Sequence, residues 1–107
     1  MLFRSDLPEP PTAVFVASDL VAFGALVEIK GRGLHVPHDV ALVGFDDVQL
    51  AHYVDPPLTT VRLPAYNLGY QAAALLARLV GDELVDEPEI LLQTELVVRQ
   101  SCGAVRG

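Results

Sequence analysis

Val40-Ala41-Leu42-Val43-Gly44-Phe45-Asp46-Asp47 is a continuous apolar run that ends abruptly on two carboxylates. A short run without polar alternation predicts a strand buried on both faces, as in a parallel sheet. Upstream, Ala13-Val14-Phe15-Val16-Ala17 has the same character and ends on Ser18-Asp19. Between the two runs, Leu20 to Lys30 is apolar at Leu20, Phe23, Ala25, Leu26, Val27 and Ile29 and is followed by Gly31 and Gly33. That predicts a helix opened by Ser18 or Asp19, whose side chains can accept from a free backbone N–H, and stopped by glycine. Strand, helix, strand with short links predicts a right-handed parallel crossover.

Working outward, Val48 to Tyr53 suits a short helix that Asp55-Pro56-Pro57 breaks. Leu58 to Leu63 is β-branched and extended in character. Pro64 fits the first turn of a helix over Ala65 to Val80, whose Leu68, Ala72, Leu75, Leu76 and Leu79 make one apolar stripe and which Gly81 closes. Asp82 to Pro88 reads as an acidic connector. Ile90-Leu91-Leu92 and Glu95 to Arg99 read as strand segments. The prolines of Leu7 to Thr12 predict an extended lead-in, and Ser101 to Gly107 a loose tail. The fold class is α/β.

At 107 residues there is room for one small core. Hydrophobic residues make up 51% and charged residues 20%, the profile of a folded domain. Seven basic side chains against 14 acidic ones give a net charge of −7. Duplex DNA is held mainly by Lys and Arg on phosphates, and Arg32, Arg62, Arg78, Arg99 and Arg106 are scattered. The chain itself is therefore not expected to bind DNA, whereas a neutral ligand such as a sugar suits the balance. Cys102 is alone, so no internal disulfide forms. No apolar run nears the ~20 residues of a membrane span, and the N-terminus lacks a signal-peptide layout. A cytoplasmic protein without membrane contact is expected.

Ser18-Asp19 and Asp46-Asp47 each terminate a strand, and open parallel sheets bind ligands outside the carboxyl ends of their strands. A carboxylate and a hydroxyl suit the gripping of sugar hydroxyls. Two readings stand at these positions: Ser18 and Asp46 face a ligand cleft, or Ser18 and Asp19 only cap the helix while Asp46-Asp47 only turns the chain. Adjacent carboxylates diverge on an extended segment and lack the separation of a hydrolytic pair, so no enzyme is expected. His35, His38 and His52 lack metal-ligand spacing, and no glycine-rich phosphate loop opens a helix. No metal or cofactor is expected.

Pro11 to Asp19 with Ala22-Phe23-Gly24-Ala25-Leu26, then Gly33 to Asp47, Pro57 to Arg62 with Pro64 and Leu68-Gly69, and the ending Glu95 to Ser101 together resemble the LacI/GalR transcription regulators. The resemblance runs from about Pro11 to Ser101. It implies a parallel-sheet, three-layer fragment of a periplasmic-binding-protein-like (type I) fold, in which two α/β lobes close on a small effector, a sugar or nucleobase. It implies that residues 1–107 are part of an effector-binding domain: 11–62 and 89–101 in the C-terminal lobe, 63–88 a crossover and a helix of the N-terminal lobe.

The resemblance also implies site roles. Asp46 matches the aspartate that hydrogen-bonds the effector. Ser18 stands where the family often has Asn, keeping a short polar group without the amide. Asp19 matches an aspartate read as the helix cap. Leu63 stands where many members have Gln. Phe23, Leu26 and Val27, with Leu50 and Tyr53, fall where the family dimerises, although core packing explains the helix residues equally well. DNA would be bound only through an N-terminal helix-turn-helix domain absent from this segment.

The expectation is thus the C-terminal effector-sensing and dimerising part of a sugar-responsive repressor. Against it stand a structural fragment that binds no ligand, and a sugar-active protein with an enzyme-like site. The stripe of the second helix, lacking its usual sheet, is expected to fold back on the chain or to meet a second copy.

Overall fold

The computed structural model describes residues 9–85 and 89–104. The parts of the expected lead-in, connector and tail that fall in 1–8, 86–88 and 105–107 lie outside the described residues. The order is β1 (Ala13–Phe15), α1 (Asp19–Gly31), β2 (Ala41–Val43), a single 3-10 turn (Gln49–His52), β3 (Thr60–Arg62), α2 (Ala65–Val80) and β4 (Glu95–Val97). The chain divides into two units, one of Met1–Arg62 with Leu96–Gly107 and one of Leu63–Glu95.

In the first unit, β1 and β2 pair in parallel, with Ala13 opposite Ala41, Val14 opposite Leu42 and Phe15 opposite Val43. Parallel neighbours need a crossover, and α1 supplies it. Beyond β2 the ladder continues to the β3 segment through parallel bridges Val43–Thr59 and Asp46–Arg62. β4 returns beside β3.

Burial of both faces, expected for the two strands, is met on one face of β2, where Leu42 is fully enclosed while Ala41 and Val43 are half-buried, and β1 is more open still. Val14 and Val16 turn to the core, while Phe15 is 62% exposed. Among the described residues β1 has one strand neighbour, β2, and the face that carries Phe15 is open. The core is Val16, Ala22, Ala25, Leu26, Leu42, Ala51 and Leu58, flanked by Val14, Phe23, Val36 and Val54. Large side chains so enclosed, such as Ile29, Leu42 and Leu58, each contribute about 1.5–3 kcal/mol.

α1 stops where predicted, but Gly31 is its last helical residue and Gly33, at φ 77°, is the left-handed one. The Gly33 N–H bonds to Lys30 O (3.0 Å) and the Leu34 N–H to Ile29 O (3.2 Å), which satisfies two terminal carbonyls.

In the second unit, α2 has the predicted bounds, and the left-handed residue after it is Asp82 rather than Gly81. No residue of α2 is buried. Leu68, Ala72 and Leu75 line a shallow cavity of about 120 Å³ with Ile90 and Leu92. Ile90–Leu92 is not a strand.

Candidate functional site

The candidate site lies where β1 and β2 end. Asp19 N–H donates to Phe45 O (3.0 Å), so Ser18 precedes and Asp46 follows a pair of residues joined by their backbones. Ser18 is the N-cap residue of α1 in backbone terms, with an extended backbone (φ −155°, ψ 136°) and no side-chain capping bond.

The reading of Asp19 as the helix cap is corrected. Asp19 is the first helical residue, and its carboxylate is fully buried and turned away from the helix end. Oδ1 accepts from Thr60 Oγ1 (2.7 Å) and Oδ2 from Val48 N–H (2.9 Å). A buried carboxylate needs such donors, and these come from the chain after β2 and from β3. The fit requires Gly44: a Cβ there would overlap Asp19 Oδ1 and lie 2.9 Å from Leu58 Cδ2.

Asp46 has φ 125° and Asp47 φ 58°, a conformation that disfavours residues with a side chain. Surrounding bonds hold it. Asp46 N–H donates to Val61 O (2.8 Å) and Asp47 N–H to Thr60 Oγ1 (3.3 Å). Asp47 Oδ2 pairs with Arg62 Nε and Oδ1 with an Arg99 terminal nitrogen, both at 2.8 Å. Arg99 also donates to Leu58 O (2.9 Å). The two carboxylates thus differ. Asp46 is exposed, and among the described residues its carboxylate makes no hydrogen bond or ion pair. Asp47 is only 10% exposed and fully engaged.

Burial raises the Asp47 carboxyl, but the hydrogen bonds and charges of Arg62 and Arg99 outweigh it and hold it below the ordinary carboxylate value of 3.8. A depressed native value stabilises the fold above that ordinary value, and the gain is lost as pH falls through it. The urea midpoint gap between this chain and its Asp47→Ala variant should be constant above about pH 5 and narrow steadily below pH ~4. A gap that widens on acidification would contradict the assignment.

Ser101, expected in a loose tail, is fully buried: its hydroxyl accepts from Thr59 N–H (2.8 Å) and donates to Leu42 O. Arg99 N–H donates to Thr59 Oγ1 (2.8 Å). Sequence reading missed Asp47, Thr59, Thr60, Arg99 and Ser101 as a network. The available signal was Thr59-Thr60, a polar pair inside an apolar strand.

The residues expected at a dimer surface separate. Leu26 is corrected to a core residue, 6% exposed, and Phe23 is half-buried against that core. Val27, Leu50 and Tyr53 are exposed, as are Leu20 and Val21. Among the described residues no three His, Cys, Asp or Glu side chains gather as metal ligands, and no helix is long and apolar enough to cross a membrane.

The exposed Asp46 carboxylate on its clamped turn thus stands at the strand ends of a parallel α/β lobe, where open parallel sheets bind ligands. The chain belongs to the periplasmic binding protein-like domain family, whose model matches residues 2–102. Its relatives are LacI-family regulators, and it corresponds to the C-terminal part of their effector domain. It is 44% identical over 100 residues to the HTH-type transcriptional repressor CytR of Escherichia coli, covering 94% of this chain and 29% of that protein. Among solved structures, a LacI transcriptional regulator of Bacillus cereus superposes with TM-score 0.82 at 34% identity, covering 94% of this chain and 36% of that one. The transcriptional regulator CelR in complex with cellobiose superposes with TM-score 0.77 at 40% identity, covering 84% and 28%. The chain thus spans under a third of the length of the curated relatives it matches.

Proposed function

We propose that this chain is the C-terminal effector-sensing and dimerising part of a sugar-responsive, cytoplasmic transcriptional repressor, and that it is not an enzyme. The carrying observation is the exposed Asp46 carboxylate, held at the carboxyl end of β2 while its neighbour Asp47 is fully engaged. Asp46 accepts from hydroxyl or N–H groups of a neutral effector, a sugar or nucleobase, and Ser18 assists. That CelR was solved with cellobiose supports the sugar class. Residues 11–62 and 89–101 act as one lobe and 63–88 belongs to the other; the break between the two units at Arg62 and Leu63 supports the first boundary, whereas Glu89 to Glu95 group with the second unit rather than the first. Val27, Leu50 and Tyr53 meet a second copy. DNA is contacted by a helix-turn-helix module other than this segment, in keeping with a net charge of −7.

Calorimetry with glucose, galactose, ribose, cellobiose, adenine and guanine tests this reading. At least one should bind, and Asp46→Ala should weaken it tenfold to a hundredfold, the worth of one hydrogen bond to a charged group. A second reading, a scaffold without ligand binding, is favoured by the unburied face of α2. It wins if none of the six gives heat.

A further inference from the structure

Asp47 takes no part in ligand contact as proposed above, yet it is the most heavily tied group of the site. Its carboxylate holds Arg62 and Arg99 at 2.8 Å each, and its N–H rests on Thr60 Oγ1. The next N–H, of Val48, goes to buried Asp19. These ties act on two consecutive non-glycine residues with positive φ. Such a residue is sterically disfavoured and persists only where its surroundings over-determine it. Arg62 closes β3 and is the last residue of the first unit before Leu63; Arg99 follows β4, two residues beyond its end, on the segment that re-enters that unit at Leu96.

We propose that Asp47 is a positioning residue. By holding Arg62 and Arg99 it fixes the left-handed turn that presents the Asp46 carboxylate, and it ties that turn to the outgoing and returning strands of the unit. This rests on the reading of Asp46 as the effector contact. Asp47 itself touches no ligand. With one oxygen on each arginine, it sets the turn against two segments that lie far apart in sequence. Loss of either oxygen frees the turn to relax toward negative φ, which swings Asp46 without altering its chemistry.

The test uses the whole chain and its Asp47→Asn and Asp47→Glu variants, with amide hydrogen exchange by NMR and calorimetry with the six compounds named above. In Asp47→Asn, exchange at Asp46 N–H, bonded to Val61 O, should rise at least tenfold more than at Leu42 N–H, bonded to Ser101 O. A compound that binds the parent should bind this variant at least tenfold more weakly although Asp46 is intact. Asp47→Glu should recover part of both. A merely structural residue would instead raise exchange at Asp46 and Leu42 by the same factor, and that outcome overturns the positioning role even if ligand binds. If no compound binds the parent, or if Asp46→Ala binds unchanged, the effector reading fails and takes with it the claim that the turn presents a ligand group. The two failures are therefore read from different columns of one experiment.

Discussion

Gly44→Ala should cost about 3–5 kcal/mol, far more than one added methyl suggests. The new Cβ would overlap the Asp19 carboxylate and come within 2.9 Å of Leu58 Cδ2, and both side chains are fully buried. Overpacking alone costs about 1–3 kcal/mol. Here the group that would have to yield is a carboxylate with two donors on it, and displacing it strands Thr60 Oγ1 and Val48 N–H, each worth about 1–3 kcal/mol when unsatisfied. Moving the strand instead would strain the Gly44 N–H bond to Thr59 O (2.9 Å). A small domain holds about 5–15 kcal/mol in all, so the urea midpoint should fall by a large fraction. The double variant Gly44→Ala with Asp19→Ala should cost at least 1 kcal/mol less than the sum of its parts, because the clash and the lost bonds share one group. A Gly44→Ala variant within 0.5 kcal/mol of the parent, on the scale of ordinary surface changes, would show that Asp19 does not lie against β2.

The Val40–Phe45 run could be read as a strand because a short unbroken apolar string is what a largely covered strand leaves, and Leu42 sits enclosed between β1 and the returning chain while Ala41 and Val43 are half-buried. α2 was legible to the residue because its stripe and Pro64 mark the start and Gly81 the end, although the left-handed residue proved to be Asp82. β1 misled for a physical reason: an apolar string does not tell whether one face or both are covered, and Phe15 stands exposed. Leu26 and Val27 could not be separated from sequence, since α1 is apolar nearly all round. One position turns to the core and the other outward.

Of the candidate site, sequence reading singled out Asp46, because strand ends are where such sheets bind ligands, and the structure leaves that residue exposed. Asp47, one residue on, read as mere turn. Its partners are 15 and 52 residues away in sequence (62 − 47 and 99 − 47), and no local pattern reports pairings of that range. Ser101 was missed in the same way, as a polar residue near a chain end whose bonds run to Thr59 and Leu42. Gly44 was visible as a letter in an apolar run, but its meaning depends on a carboxylate 25 positions upstream (44 − 19).

Asp19→Ala should likewise cost about 3–5 kcal/mol, and the size of the loss separates two roles for the residue. A helix cap is worth about 1 kcal/mol, rarely 2. A buried carboxylate that satisfies a buried hydroxyl and a backbone N–H is worth more, since its removal leaves both donors without water and opens a cavity under the turn. Asp19→Asn sharpens the point. The amide keeps the size and one oxygen, yet its NH2 must face either Thr60 Oγ1 or Val48 N–H, both of which now donate to Asp19. Thr60 can reverse its hydroxyl and accept, whereas the backbone N–H cannot, so Asn should seat its oxygen on Val48 and lose about 1–3 kcal/mol. Ser18→Ala should cost less than 0.5 kcal/mol, because the Ser18 side chain makes no capping bond. Urea unfolding of the three variants should therefore rank Ala at 19 as most destabilised, Asn at 19 intermediate and Ala at 18 near the parent. Should Ser18→Ala and Asp19→Ala fall together near 1 kcal/mol, the helix cap would be the right account of both. The turn that carries Asp46 would then have lost its floor, because Val48 N–H would no longer be held from below by α1.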